Sequence, residues 1–559
     1  MRAEVLFAEA KWRPCLQSLD RAALKLAEGV GASRVKVNPS HFRYSATCLA
    51  ALGDYDRALE EIDRAEAALA DRQKAGYRAD YFLSATLPAL KAQILMAKGD
   101  YGSAAECALE VARREPQVLV SMGASRSIHT ATRWALQWER GCDLLMSVEQ
   151  PANLDLNRVY DRVLPYRGLL FRMVARDAKL RRANLSDDDR RIYREYRDKQ
   201  MAVARLAFEA ELAEGPRKQE LQDAVGEAER RRNELELRLR QRNLSWIDKG
   251  DAVPCSGQVL KNQLAEGEVL LDFVEYCHHS WDPERPGVEG HRAEERYRVY
   301  IVAPHTELQS IELGTCAEID ALIDGWRKEV QSGAGVECGW KLSRKLWHPV
   351  RSRLPKKTQR LLVAPAGKIA LVSWAALPDR RPEVPLLDRF ELTYLPYPGY
   401  LVEQRTSLEE SPNPPHCLAV GNLEYGSRQG MELAEVRRGD FRASLRDIAP
   451  LPGTQRELDA IARYWSRGSI ECLSGKQVTV SRLSKSLRRS QFVHIATHGI
   501  LASDESIRAF RRLRRDRPWG RPPFVAGVRN PLSLMALALS NVCRPNSIDE
   551  SVLLAEEVA

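Results

Sequence analysis

The stretch Phe492 to Gly499, FVHIATHG, sets a short apolar run against two histidines and a glycine. A strand buried on both faces reads as a continuous apolar run, so FVHIAT is expected to form an inner strand of a helix-covered sheet, with Gly499 permitting a sharp exit. His494 then falls inside the strand and reads as a buried core histidine, whereas His498 falls just past its carboxyl end. Open α/β sheets place their chemistry at that end.

Working outward from this strand, the chain from Trp246 onward alternates β-branched apolar runs with Gly, Pro and Asp clusters and helical stretches, an α/β pattern. Strands are expected over Val269 to Tyr276, Arg296 to Val302, Leu361 to Ala364, Phe390 to Tyr394, Cys417 to Val420 and Phe492 to Ala496. Helices are expected over Ile319 to Val330, Gln455 to Trp465 and Ser481 to Leu487. Cys277, His278, His279 and His291 cluster in sequence, and sulfur with imidazole suits zinc. Neighbouring strand residues point to opposite faces, however, so this cluster reads as a loop and not a metal site.

Farther upstream, Asn157 to Arg242 is rich in Arg, Glu, Leu and Ala and is broken at Gly215 and Pro216, which predicts a helical hairpin that spaces the repeats from the later domain. Asp187, Asp188 and Asp189 after Ser186 suit a helix amino terminus, as caps and as negative charge against the dipole. The mixed charge of its second arm reads as a solvated face.

Before the hairpin, ALGDYDRAL from Ala51 and AKGDYGSAA from Ala97 repeat one pattern 46 residues apart. Gly53 and Gly99 mark tight turns between helices, Tyr55 and Tyr101 can pack into each pair, and Ala58 and Ala104 allow close approach. The pattern is similar to tetratricopeptide repeats, whose period is about 34 residues, so these copies are divergent. Cys15 to Glu28 reads as a third. Stacked helical repeats present a surface for a peptide or protein ligand.

A further resemblance rests on an ordered series: LAEGEVLLDFVEY, RYRVYIV, LLVAPAGKIALVSWAALP, LLDRFELTYLP, AVGNLEY, LPGTQREL and VHIATHG. Their order and spacing resemble those of CHAT domains, bacterial relatives of the caspase and separase cysteine peptidases that commonly follow tetratricopeptide arrays. The resemblance implies a caspase-like fold, mostly parallel strands flanked by helices, in a chain of α plus α/β class. It divides the chain into repeats at 1–120, a helical linker at 121–245 and a CHAT domain at 246–559. It also implies that His498 is the catalytic histidine and that the Gly499 amide is the oxyanion donor. In such sites a cysteine thiolate attacks the peptide carbonyl, and the histidine protonates the leaving amine.

The family's cysteine follows a further helix and strand. LMALALSN resembles the strand after an Asn530, Pro531 and Leu532 segment, and VLLAEEVA resembles the start of the helix before the cysteine strand. The nucleophile segment is therefore expected to be absent, the domain incomplete and this chain inactive, with a protein-binding adaptor and a split enzyme completed by another chain as alternatives. Cys417 and Cys472 read as small buried hydrophobes, and Cys543 precedes the position that the resemblance requires.

Bulk properties narrow the class. With 559 residues and 44% hydrophobic content the chain holds several cores, and its +9 charge is spread among 85 basic and 76 acidic residues, which sets nucleic acid aside. MRAEVLFAEAKWRPC lacks a signal peptide's apolar stretch, and no apolar run suits a bilayer, so a cytoplasmic location without membrane contact is expected. Eleven scattered cysteines without a CxxC pair read as reduced thiols, and no cofactor is expected.

Overall fold

The structure is a computed structural model that describes residues 6, 9–30, 38–75, 81–125, 141–169, 171, 186–212, 215–242, 255–333, 336–406, 414–426, 448–501, 535–542 and 548–554. Helices dominate the first half: α1 (Trp12–Val30), α2 (Pro39–Ala51), α3 (Tyr55–Lys74), α4 (Tyr81–Ala97), α5 (Tyr101–Ser125), α6 (Gly141–Val148) and α7 (Leu156–Val163). Helix α2 packs on α3 and α4 on α5. The turns between them put Gly53 at φ 86° and Gly99 at φ 79°, a left-handed backbone that a side chain would strain. Ala58 and Ala104 are fully buried one turn further on, where a larger side chain would push the pairs apart.

Two long helices follow, α8 (Asp187–Leu212) and α9 (Gly215–Arg242). Ser186 caps α8, accepting from the Asp189 amide at 3.2 Å and donating its hydroxyl to the Asp189 carboxylate at 2.7 Å. Gly215, at φ 62°, turns the chain into α9, and Arg231 reaches back to Glu195 at 2.7 Å to form the expected hairpin. Among the described helices, none is long and apolar enough to cross a membrane.

A five-stranded sheet comprises β1 (Glu268–Trp281), β2 (His291–Val302), β3 (Gln309–Thr315), β4 (Arg360–Ala364) and β5 (Glu391–Tyr394), in the order β3-β2-β1-β4-β5. Strands β1, β4 and β5 are parallel, while β2 and β3 run antiparallel to their neighbours. Its side chains divide by parity. Leu270, Val274, Tyr276, Tyr300, Val302 and Leu362 join a cluster with α2 to α7. Val269, Leu271, Phe273, Val299, Ile301 and Val363 join a second cluster with α11 (Cys316–Ser332) and α12 (Glu337–Arg351) on the opposite face. Burial on both faces is why these strands read as unbroken apolar runs.

Helices α2 to α7 thus lie directly on the sheet, and the hairpin does not space them from it. All eight residues of α6 are buried, and α6 packs against β1. Arg298 of β2 forms a buried ion pair with Glu149, Arg167 bonds Asp272 of β1 at 2.8 Å, and the Gly287 amide donates to the Tyr55 hydroxyl at 2.7 Å. The hairpin packs elsewhere: Ala204 of α8 lies in a third cluster with Leu418 and Val420.

That cluster belongs to two small sheets. One is parallel, with β6 (His416–Leu423) between β7 (Ser469–Gly475) and β8 (Phe492–Ile495); the other is antiparallel, with β10 (Met535–Ala538) between β9 (Gly499–Leu501) and β11 (Val552–Leu554). Helices α14 (Gly453–Tyr464) and α15 (Val480–Leu487) connect the parallel strands, after α10 (Gly257–Gln263) and α13 (Pro398–Thr406) earlier in the chain.

Three sequence expectations are corrected. FVHIAT is not an inner strand: among the described residues β8 is an edge, with Phe492 44% and Val493 45% exposed. Val552 to Leu554 are not a helix start but β11, paired with β10 and preceded by the short helix α16 (Ile548–Ser551); Ala555 to Ala559 lie outside the described residues. Cys277, His278, His279 and His291 are not in a loop, because β1 and β2 extend through all four. The segments around Trp246, 502–534 and Cys543 also lie outside the described residues.

Candidate active site

Strand β8 ends at Ile495 and hands the chain from the parallel sheet to β9 within four residues. The Ala496 amide still donates to Val420 of β6 at 2.8 Å, so the chain leaves the first sheet there. Thr497 donates its hydroxyl to the Ala538 carbonyl at 2.5 Å, and the Ala538 amide donates to the His498 carbonyl at 2.9 Å. His498 is therefore held by its backbone at the junction of two sheets, past the carboxyl end of a parallel strand.

Its ring is held as well. Nε2 lies 2.8 Å from the Ala449 carbonyl oxygen. A carbonyl only accepts, so Nε2 carries the proton and Nδ1 of the neutral ring keeps a lone pair. The Tyr425 ring meets the His498 ring edge-on at 5.3 Å, and its hydroxyl hydrogen-bonds the Thr497 hydroxyl at 3.0 Å. Tyr425 follows β6, whose end is fixed to α14: the Asn422 amide donates to the Thr454 hydroxyl at 2.8 Å, and its side chain donates to Gln455 at 2.8 Å. The AVGNLEY and LPGTQREL segments thus converge on the histidine.

Gly499 pairs opposite Leu537. Antiparallel ladders alternate bonded and unbonded pairs, and His498 already takes the bonded position through Ala538, so the Gly499 N–H faces away from β10. Among the described residues, and its chain neighbours aside, no heavy atom lies within 4 Å of where its Cβ would be, so the space beside its Cα is open. Together the two residues offer a proton acceptor and an outward-facing amide donor side by side.

His494 is not a buried core residue. Its Nε2 lies 3.2 Å from Glu457 of α14, and its side chain is 39% exposed. Because Phe492 and Val493 are exposed along the same edge strand, a histidine here meets solvent and a carboxylate instead of a core.

Among the described cysteines, the two near this sheet lie away from His498. Cys417 pairs opposite Phe492, so β8 runs about 10 Å beyond it before His498 is reached. Cys472 pairs with Ala419 on β7, two strands or about 10 Å across from β8. Cys417 is buried as expected, but Cys472 is exposed and is not a core residue, because β7 is an edge strand among the described residues; desolvation raises both thiols above their ordinary value, which keeps them protonated and poorly nucleophilic.

The histidine cluster on β1 and β2 is a packed layer. His279 Nδ1 and His291 Nε2 stand 3.0 Å apart, and Trp281 lies against the His291 ring at 4.8 Å. Among the described residues, no group of three or more His, Cys, Asp or Glu side chains could hold a metal ion.

Sequence reading singled out His498 and Gly499 as candidates and did not name Ala449 or Tyr425. A backbone carbonyl leaves no side-chain signature, and Tyr425 could have been found only as the aromatic residue closing AVGNLEY. No curated protein matches the chain. Residues 336–559, which run from the start of α12 through β11 and contain His498, Gly499, Tyr425 and Ala449, match the CHAT domain family, so the second part of the chain carries a CHAT domain.

Proposed function

We propose that His498 and Gly499 form the histidine and oxyanion half of a cysteine-endopeptidase site in a caspase-like domain. The carrying observation is the bond from His498 Nε2 to the Ala449 carbonyl, which leaves Nδ1 as the base. In this reading Nδ1 accepts the proton of an attacking thiol and returns it to the departing amine, while the Gly499 amide donates to the carbonyl oxygen as it gains charge. In this reading none of the described cysteines supplies the thiol, and the chain alone is expected not to cleave peptides. The paired helices α2–α3 and α4–α5 act as tetratricopeptide-like repeats that bind a protein or peptide ligand in the cytoplasm. An adaptor without proteolysis uses the same repeats and leaves His498 idle.

The test is a protease assay of the full chain on an unfolded protein substrate, beside His498→Ala and Cys543→Ala variants. No cleavage by any of the three is expected. Cleavage lost in both variants would make Cys543 the nucleophile and overturn the inactivity, and cleavage retained in His498→Ala would sink the site itself.

A further inference from the structure

The proton position on His498 depends on one backbone carbonyl, and the residues around Ala449 show what holds it. Ala449 opens the short arm Ala449, Pro450, Leu451, Pro452 that leads into α14. Each proline fixes its own φ and keeps the residue before it extended, so the arm has few ways to bend. Its position is therefore set at its two ends. Upstream, Ile448 packs against the third apolar cluster. Downstream, the Leu451 carbonyl accepts two bonds from Thr454, one from the amide at 3.1 Å and one from the hydroxyl at 2.7 Å.

Thr454 is buried, and its hydroxyl works in both directions: it donates to Leu451 and accepts the Asn422 amide at the end of β6 at 2.8 Å. The approach is close. A Cβ on Gly421 would lie 3.2 Å from the Thr454 carbonyl oxygen and 3.3 Å from the Thr454 Cβ, so only glycine at 421 leaves this room undisturbed. Asn422, at φ 52°, takes the left-handed backbone that asparagine tolerates, and its side chain donates to Gln455, the next residue of α14, at 2.8 Å. Strand β6 also sets the register of β8, through Val420 opposite Ile495 and the Ala496 amide on the Val420 carbonyl. One strand end is thus the common reference for the His498 ring and for the carbonyl that accepts its N–H.

We propose that Thr454 is a positioning residue for His498: by tying the proline arm to β6 it keeps the Ala449 carbonyl at Nε2 and so keeps the basic lone pair on Nδ1. This rests on the reading of His498 as a base under Proposed function and names the side chain that maintains it. Without the hydroxyl, Leu451 keeps only its bond from the Thr454 amide, and the arm is no longer tied to Asn422. Ala449 then drifts from Nε2, and the ring populates its other tautomer.

The experiment labels the histidines of the full chain with 15N and reads their ring nitrogens by magic-angle-spinning spectra at about pH 8.5, where an ordinary imidazole, with a pKa of about 6.5, is neutral. His498→Gln identifies the His498 signals among the ten histidines. The wild-type His498 is expected as the Nε2–H tautomer. In Thr454→Val the Nδ1–H form is expected to gain at least about fivefold relative to Nε2–H, the effect of one lost hydrogen bond, and Thr454→Ser is expected to match wild type. Thr454→Ala gives the same readout should the valine variant fail to fold. Thr479→Val, which removes the hydroxyl that caps α15, is expected to leave the His498 tautomer unchanged. An unchanged Nε2–H ring in both hydroxyl-less Thr454 variants, or an equal change in Thr479→Val, would overturn the positioning role while leaving the base assignment intact. A wild-type ring already protonated on Nδ1 would overturn the base assignment itself, and the positioning role with it.

Discussion

In the five-stranded sheet, Leu270 and Phe273 of one strand are both fully buried, each under a different helical layer. In the three-stranded parallel sheet, β8 exposes Phe492 and Val493 and ends beside His498, with Ile495 only partly buried against its core. The inner strands of the first sheet spend both faces on packing, although its edge β5 is exposed at Tyr394; the second sheet leaves its β8 edge open beside His498. A reacting histidine needs an approach path, and an open edge provides one where a doubly covered strand cannot. Stability and candidate chemistry are thus lodged in different sheets.

The strongest way to break this contrast is Phe273→Ala. Phe273 is enclosed and stacks on Trp374 at 4.9 Å between ring centres, so its loss is expected to cost about 3–5 kcal/mol in denaturant unfolding. A cost near 1 kcal/mol would mean that the first sheet is no better packed than the second.

A pH titration gives an intermediate effect. Burial first, then His279 and Arg292, hold the His291 imidazole down to about 3, whereas in the unfolded chain it takes up a proton near its ordinary 6.5. Between those values the unfolded state binds the proton and the folded state does not. The stabilisation is therefore complete above pH 6.5 and declines as pH falls, by up to about 2 kcal/mol at pH 5. His291→Gln should flatten that decline, leaving the similar contribution of His278, which burial also lowers, to about 4. An unchanged slope of stability against pH would place the histidine layer in contact with water.

The smallest effect belongs to the open edge. Phe492→Ala removes a half-exposed ring that meets Trp465 at 5.1 Å, and a change within about 1 kcal/mol is expected from the same unfolding measurement. A loss as large as that of Phe273→Ala would show that the edge of β8 is covered and that the contrast between the sheets fails.

The sequence made the inner strands legible wherever both faces were apolar: Val269 to Tyr276 lies within β1, and Leu361 to Ala364 within β4. It underestimated β1, which continues to Trp281, because His278, His279 and Ser280 are polar and are ordered by pairing with β2. Edge strands β3 and β7, QSIELGT and SIECLSG, were missed for the same reason, since ladder bonds to a neighbour leave no trace in hydropathy. Helix α12 was missed because Pro349 reads as a breaker, although it stands in the last turn, where few residues follow it. At the candidate site the ordered motifs pointed to His498 and Gly499 as candidates, while the acceptor that orients the ring is main chain and carries no residue preference.

The single apolar cluster running from α2 through α7 into β1 and β2 makes the two halves melt together. With Arg298 and Glu149 paired out of water across the same boundary, unfolding of the helices alone breaks that pair and leaves Arg298 only its bond to Glu312 of β3. Any ligand that grips only the folded helices therefore raises the melting temperature of the five-stranded sheet by mass action. The sheet, which touches no such ligand, becomes a thermometer for what the helices hold.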